Sequence, residues 1–395
     1  MIGMQTVFDE AVDRIGGEPI SARMARKAPI RHIDFTLIVS MVCLAVFGAV
    51  MIFSASSSKL EEAGADPATY VKRQIAYIVA GVAVLLFVIL FDYRHIRGLA
   101  GVLFGGTLAA LALVLTPLGA VSNGAQRWID LGFFQMQPSE IAKIVVVVTL
   151  AAYLSERRGE VRALDVVVCA GIVMGPAVLI YLEPDLGTMM VFLALLAALL
   201  LIGGARIRHF FALFGMGLLG ILVVLQAGFL QQYQIDRITA FLDPNPDVRS
   251  EAYNLTQSKI AIGSGGLRGK GLGGASTQTT LDFVPEQHTD FIFTAVGEQL
   301  GFLGSATLLC LFALLIWRAL RIASMSRDLF GMMLASGIAA LWAFQVFVNV
   351  GMTMGIMPIT GIPLPFISFG GSSLLTNFIA VGLLLNVHMR RFLRT

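Results

Sequence analysis

The chain is dominated by long apolar runs that are separated by shorter polar stretches. A run of about 20 mostly apolar residues predicts a membrane-spanning helix, because a helix of that length crosses the hydrocarbon core of a bilayer. Ten runs fit this pattern, at about 33–55, 74–91, 98–118, 138–154, 164–182, 186–204, 207–229, 291–317, 330–356 and 367–389. The pattern therefore predicts an all-α polytopic membrane protein with about ten transmembrane helices.

The polar positions divide the rest of the chain. A polar leader at 1–31 precedes a ten-span membrane domain at 32–390, and a short tail at 391–395 follows it. The leader is too long and too mixed for a secretory signal peptide, so the first span is expected to be retained as an anchor. The largest polar segment, 230–290, lies between spans seven and eight, and its part near 251–262 has a helical pattern.

Composition agrees with the membrane class and excludes others. The chain is 57% hydrophobic and only 13% charged, and its mean hydropathy is +0.82. A soluble protein of this size needs far more polar surface. The net charge of +3 gives no indication of a nucleic-acid partner. The cysteines Cys43, Cys169 and Cys310 all lie in apolar runs, which indicates neither a disulfide framework nor a metal site.

The distribution of positive charge predicts the orientation. An even number of spans puts both termini on one side, and the segments on that side hold 18 lysines and arginines against 9 on the other. Because cytoplasmic loops carry the excess of positive charge, both termini are expected in the cytoplasm. The segments 122–140, 183–187, 230–290 and 354–373 are then expected outside.

Charged residues at membrane depth are the first candidate site. Glu140 and Lys143 lie three residues apart at the outer end of the fourth span, so they share a helix face. They form either a self-satisfied ion pair or part of a polar cavity that opens to the outer leaflet. Arg127, Glu183 and Asp185 are expected to approach the same surface, which favours the cavity.

Two outer segments leave alternatives open. The prolines and glycines of 354–373 cannot continue a helix. At membrane depth such backbone must be buried in protein or line a cavity, unless the segment is a surface hairpin. In the long loop, Lys259, Arg268 and Lys270 suit an anionic partner such as a pyrophosphate headgroup, or they belong to a solvated loop.

The stretch "PEQHTDFIF" at 285–293 places two carboxylates and an imidazole just before the eighth span. Thr289 or Asp290 could cap that helix, or Asp290 could act as a general base for a bound hydroxyl above the membrane. Glu286, four residues earlier, would raise the pKa of Asp290 on a shared helix face, whereas a capping role would lower it. His288 is interpreted as an interfacial histidine.

Taken together, several motifs carry a specific resemblance. They are "NGAQRWIDLG", "QPSEIAK", "EPDLGT", "QSKIAIGSGGLRGKG", "FVPEQHTDFIF" and "NVGMTMGIMPITGIPLPFISFGGSS". With these motifs the chain resembles, over essentially everything after residue 30, the SEDS family of bacterial cell-wall proteins, the group of RodA, FtsW and SpoVE. The amino-acid sequence of the long loop is more similar to the rod-shape RodA branch than to the division branch.

The resemblance implies a peptidoglycan glycosyltransferase that polymerises lipid II on the outer face of the bacterial cytoplasmic membrane. A GlcNAc 4-hydroxyl would attack the anomeric carbon of a lipid-linked MurNAc, with inversion to a β-1,4 bond and release of undecaprenyl pyrophosphate. The family's catalytic aspartate falls on Asp290. The residues expected to bind substrate are Arg127, Glu140, Lys143, Asp185, Lys270 and Glu286.

The resemblance also implies a class B penicillin-binding protein as the partner that supplies the transpeptidase. A divalent cation, Mg²⁺ or Mn²⁺, is a possible cofactor, although no metal-ligand spacing is visible. Phe369 stands where tyrosine or a small residue is common in the family. Two other functions stay open: a lipid II flippase, which needs a polar path across the membrane, and a non-enzymatic scaffold, which would not need Asp290.

Overall fold

The structure, a computed structural model, describes residues 32–122, 125–130, 132, 134–157, 161–226, 251–273, 277 and 287–391. The leader 1–31 lies outside these residues. The described helices are α1 Phe35–Glu62, α2 Thr69–Leu90, α3 Tyr93–Val114, α4 Pro138–Ser155, α5 Ala163–Leu182, α6 Leu186–Ile202, α7 Ile207–Gln226, α8 Glu251–Ser264, α9 Ile292–Met325, α10 Leu329–Thr353 and α11 Gly371–Met389.

The ten apolar runs all form helices. Eight helices of the described chain are long and apolar enough to cross a membrane, and Leu186–Ile202 and Ile207–Leu218 are shorter apolar helices. The prediction of about ten membrane helices is therefore confirmed at the level of the helices. The helical pattern near 251–262 corresponds to α8, which lies in the long segment between α7 and α9.

Burial separates central helices from peripheral ones. The apolar segments of α4 and α11 are mostly buried, whereas those of α2 and α3 bury only a narrow stripe. Except for Glu140, Lys143 and a few hydroxyl groups, α4 is apolar on all sides, as expected of a helix surrounded by protein. On α2, Val79 and Leu86 point outward and are well exposed, which suits contact with lipid chains.

Side-chain contacts sort the connecting segments into two sets, one at each end of the bundle. We call the basic end the one where α1 begins and α11 ends. There, Arg318 is paired with Asp34, Arg97 with Glu156 at 3.1 Å, and Arg157 with Asp165 at 3.0 Å. This end is the one that the charge count predicts to be cytoplasmic.

The opposite end, called the loop end, is where α9 begins. It contains a small antiparallel sheet of β1 Gly119–Ser122, β2 Ala125–Asp130 and β3 Gln135–Met136, in the order β1-β2-β3. The sequence pattern predicted an outer loop here and no strands. Its Asn-Gly pair, at 123–124, is a hairpin signal that could have revealed the first two strands.

A backbone kink in α9 receives the glycine-rich end of the long segment. Gly301 has φ 64° and ψ −160°, a conformation open essentially to glycine alone. The backbone groups that the kink leaves without partners inside α9 pair with the segment 265–271. Lys270 N donates to Glu298 O at 3.0 Å, and Phe302 N donates to Gly266 O at 2.9 Å. A Cβ at Gly269 would meet Gln299 O at 2.1 Å, so this approach also requires glycine.

Candidate active site at the loop end of the bundle

Asp290 ends a short turn that leads directly into α9. Its side chain is partly exposed, and its backbone carbonyl accepts a hydrogen bond of 2.9 Å from Asn349 Nδ2 of α10. The same amide group donates to Ile362 O at 2.8 Å. The residue in the N-cap position of α9 is Phe291, whose side chain makes no capping hydrogen bond. A capping role for Thr289 or Asp290 stays a prediction.

α8 braces the start of α9 from a second side. Ser258 Oγ is 2.5 Å from Thr294 Oγ1 and donates to Thr353 O at 2.9 Å. A small apolar cluster next to these contacts joins the two helices to α10 and the chain beyond it, through Leu255, Phe291, Met352 and Ile359. The position of Asp290 is thus set by three elements that are far apart in the sequence.

The part of the proline-rich segment at 359–368 lies mostly inside the protein, whereas Met354 and Ile356 at its start are 46% and 60% exposed. Leu364, Phe366 and Ile367 are at most 1% exposed. Two glycines allow neighbouring helices to approach its backbone, since a Cβ at Gly48 of α1 or Gly187 of α6 would meet a carbonyl oxygen of the segment at 2.6 or 2.4 Å. The expectation of buried irregular backbone is therefore confirmed for 359–368.

Glu140 and Lys143 form a buried ion pair in the first turns of α4. Lys143 Nζ lies 2.7 Å from Glu140 Oε1, and the two residues are 1% and 3% exposed. Glu140 Oε2 and the neighbouring Ser139 Oγ have no hydrogen-bond partner within the described chain. The pair is therefore satisfied on one carboxylate oxygen only, which leaves capacity for a further polar partner.

Arg127 and Asp185 meet at the corner between α5 and α6. Arg127 Nε, on β2, donates to Glu183 O at 3.1 Å, and its Nη2 donates to Pro184 O. Asp185 caps α6, because its two oxygens accept from Thr188 N at 3.1 Å and Thr188 Oγ1 at 2.9 Å. Both residues thus have local structural partners, and their predicted role in substrate binding stays a prediction.

Lys270 has a partner that the sequence analysis missed. Its Nζ lies 2.9 Å from Oε1 of Glu298, which is fully buried in α9. The pair fixes the glycine-rich segment on the kink at Gly301. Substrate binding by Lys270 stays a prediction, and Glu286 lies outside the described residues.

An apolar groove runs between α3 and α4, on the face of α4 opposite to the ion pair. It encloses about 270 Å³ and is lined by residues that include Val102, Gly106, Met136, Pro138 and Ile141. Its lining suits a hydrocarbon chain. In the part of the chain that the structure describes, no group of three or more histidine, cysteine, aspartate or glutamate side chains could hold a metal ion. The use of Mg²⁺ or Mn²⁺ as a cofactor stays a prediction.

Comparison with known proteins decides the family. The sequence profile of the FtsW/RodA/SpoVE family, described as "Cell cycle protein", matches residues 35–392. The chain belongs to this family. Stage V sporulation protein E of Bacillus subtilis (strain 168) is 38% identical over 358 residues, which cover 90% of this chain and 96% of that protein. Peptidoglycan glycosyltransferase MrdB of Escherichia coli (strain K12) is 37% identical over a stretch that covers 91% of this chain and 94% of that protein.

Solved structures agree with the fold of this FtsW/RodA/SpoVE protein. One chain from a study of a peptidoglycan synthase complex superposes with a TM-score of 0.78 at 32% identity, covering 91% of this chain and 98% of that one. The crystal structure of the rod shape determining protein RodA of Thermus thermophilus gives a TM-score of 0.68 at 29% identity, with 92% and 98% coverage. The chain is therefore a multi-pass membrane protein of this family.

Sequence reasoning overlooked buried polar residues inside the spans of this family member. Asn349 and Glu298 are both fully buried, and they hold Asp290 and Lys270 in place. A signal was available, because a polar side chain within a membrane span is costly and usually has a specific partner. What the sequence could not supply was the identity of that partner.

Glu183 is the most unusual titratable group at the corner. It directly follows α5, is 1% exposed, and neither carboxylate oxygen has a hydrogen-bond partner within the described chain. Burial raises the pKa of Glu183 from 4.5 to about 8; the Asp185 carboxylate adds to this rise, and the Arg127 guanidinium opposes it. The carboxyl is therefore mostly protonated at neutral pH.

This shift predicts a dependence of stability on pH. Since the folded-state pKa lies above the unfolded one, the stabilising contribution of Glu183 is complete below about pH 4.5. It is lost as the pH rises through about 8. The loss in the free energy of unfolding is about 2–5 kcal/mol for a pKa shift of this size. Glu183→Gln has no group to titrate there and is expected to remove this loss. Thermal unfolding of both proteins in detergent at pH 6 and pH 9 measures it. Equal losses in both would contradict the assignment.

Proposed function

We propose that this chain polymerises lipid II into β-1,4 glycan strands, the peptidoglycan glycosyltransferase activity that the names of its relatives carry. The observation that supports this most directly is the placement of Asp290. It is a partly exposed carboxylate at the loop end, and it is held where α8, α9 and α10 meet. A base for a substrate with its lipid tail in the bilayer and its sugars just above must lie at this boundary.

In the proposed reaction, Asp290 accepts the proton of a GlcNAc 4-hydroxyl. The hydroxyl oxygen forms a bond to the anomeric carbon of a lipid-linked MurNAc, and the bond from that carbon to undecaprenyl pyrophosphate breaks with inversion. The leaving group carries negative charge away, so it needs positive charge nearby more than it needs a proton donor. Lys143 and Arg127 are the candidates for this role at the loop end, and the apolar groove between α3 and α4 suits the lipid chain.

The direct test is the reaction of purified protein with lipid II, followed by separation of the products on a gel. Glycan polymer is the expected result. Absence of polymer from a folded protein, both alone and together with a class B penicillin-binding protein, would refute the proposal.

We further propose that the loop end faces outward from the bacterial cytoplasmic membrane. The leader 1–31 and the tail 391–395 are then cytoplasmic, the membrane domain extends over 32–390, and the segment 230–290 is extracytoplasmic. The bias of 18 positive residues against 9 supports this orientation.

A reporter fusion measures the orientation. Alkaline phosphatase inserted within 230–290 is expected to be active, because that enzyme folds only outside the cytoplasm, whereas a fusion after Arg394 is expected to be inactive. Green fluorescent protein at the same two positions should give the opposite pattern. Reversed results would put Asp290 on the wrong side for lipid II polymerisation.

The proposed partner is a class B penicillin-binding protein that crosslinks the new strand, and the proposed setting is cell elongation. The similarity to a chain of a peptidoglycan synthase complex supports the first, and the similarity to MrdB and RodA supports the second. Co-purification of the chain with such a transpeptidase from membranes tests the partnership.

A further inference from the structure

Five ring side chains form a cluster at the loop end. Tyr70 contacts His288 with ring centres 4.5 Å apart and Phe369 with ring centres 5.0 Å apart. Tyr77 extends the cluster to Phe369 at 6.1 Å and to Phe134 at 5.8 Å. All five side chains are partly exposed rather than buried. They come from four separate parts of the chain, so the fold has gathered them.

The cluster lies on the inner side of α2. Ile75 and Val79 of the same helix are 51% and 65% exposed and face outward. Tyr70 and Tyr77 point the other way, toward α11 and the start of α9. Aromatic residues that anchor a protein at the membrane interface face the lipid. This cluster therefore does not have the arrangement of an interfacial belt.

A buried amide lies between the two tyrosines. Gln74 shares their helix face by its spacing, is fully buried, and has no hydrogen-bond partner for either amide atom within the described chain. An unpaired buried amide costs folding free energy. By contrast, Asn377 on the facing helix α11 is fully engaged: it donates to Ser373 O at 2.8 Å and accepts from Trp342 Nε1 at 2.7 Å.

The cluster is physically attached to the candidate catalytic segment. Phe369 N donates to the carbonyl oxygen of His288 at 2.9 Å, and His288 lies two residues before Asp290. The rings and the proposed base are thus carried by the same short turn. A group bound on the rings would lie close to the reacting hydroxyl.

We infer that this cluster is a binding subsite for one N-acetylated pyranose of the lipid-linked substrate or of the growing strand. The inference rests on the proposed function. Pyranose rings present C–H groups with partial positive charge, which complement the negative faces of aromatic rings. The sugar displaces the contact between the rings of Tyr70 and Phe369 and packs against them. This exposes the amide of Gln74, which then pairs with the acetamido or hydroxyl groups of the sugar.

Gln74→Leu separates this role from a structural one. Removal of the unpaired amide is expected to raise the melting temperature, because leucine has no polar group to leave unsatisfied. The same change is expected to raise the KM for lipid II severalfold while kcat stays near the wild-type value. A merely structural residue would give the stabilisation with an unchanged KM, and that result would overturn the subsite.

Tyr70→Leu and Phe369→Leu test the rings. Each is expected to raise the KM by about fivefold, the scale of a single aromatic contact, with kcat within about twofold. Ile75→Leu, on the outward face of the same helix, is the matched control and should leave both constants unchanged. Unchanged KM values in both ring variants would refute the subsite and leave the proposed polymerase activity intact.

A binding measurement separates this inference from the reaction. The lipid-free GlcNAc–MurNAc disaccharide is added to detergent-solubilised Asp290→Asn protein, and saturation transfer from protein to sugar is recorded by NMR. Saturation transfer to the sugar is expected from the Asp290→Asn protein. It should be weaker from the double variant that also carries Tyr70→Leu. Transfer without polymerase activity in the wild type would refute the proposed function alone, and no transfer from a folded protein would refute the subsite.

Discussion

Asp290→Asn is expected to stop glycan polymerisation while the protein stays folded. A positioned general base contributes about 10²–10⁴-fold to a rate, and asparagine keeps the size of the side chain but cannot accept the proton. The backbone carbonyl that Asn349 holds is unaffected by the change. Polymer length on a gel, from purified protein and lipid II, measures the effect.

The helix start gives little reason to expect a loss of stability in this variant. Asparagine keeps the size of the aspartate side chain and one of its hydrogen-bonding oxygens, so the melting temperature should stay close to that of the wild type. Asp290→Glu keeps the carboxylate and shifts its position, and it should retain a small fraction of the activity.

Asp66→Asn is a matched control for the Asp290 variant. Asp66 is an exposed aspartate in the connection between α1 and α2 at the same end of the bundle, 2.5 Å from Lys72. Full activity is expected for it. Normal polymer from Asp290→Asn would remove Asp290 as the base.

Replacement of Lys143 alone is expected to lower the free energy of unfolding more than replacement of Glu140 and Lys143 together. Lys143→Met leaves the Glu140 carboxylate buried without its counter-charge, and breaking a buried pair on one side costs about 3–5 kcal/mol. Glu140→Leu combined with Lys143→Met removes both charges and should recover most of that loss. Thermal unfolding of the two single variants and the double variant measures the coupling.

Activity then decides what the buried pair does. If it lines the substrate cavity, as we propose, the double variant is folded and makes no polymer. The control is a second pair of low exposure, Asp34 and Arg318 at the basic end. Asp34→Asn with Arg318→Met keeps a capping side chain on α1 and should polymerise normally. Polymer from the Glu140/Lys143 double variant would show that the pair only satisfies itself.

The spans could be predicted from the sequence, because their signal is local. Each apolar run needs nothing but its own length and composition to be recognised as a helix. The shorter helix α8 was predicted from the helical pattern near 251–262 in the polar segment. The small sheet β1-β2-β3 was not predicted, because its strands of two to six residues are too short to stand out among apolar runs of about 20 residues.

The candidate site could be predicted only in part, because its contacts are distant in sequence. The sequence identifies Asp290 as a carboxylate before a span, but the N-cap position depends on where the helix turns, which is set by α8 and α10. Lys270 looks like a free cation for a phosphate until Glu298 is seen 2.9 Å away. The roles proposed for Arg127, Asp185 and Lys270 depend on partners that no local pattern specifies.

The attachment of the glycine-rich segment to the kinked helix has a consequence for how the long connection can change. Lys270 is paired with Glu298, and the chain returns to the same helix at Ile292. The stretch between them, which carries Asp290, is therefore attached to α9 at both of its ends. Residues 227–250 lie upstream of both attachments, so an insertion there is expected to leave the Asp290 carboxylate where it is.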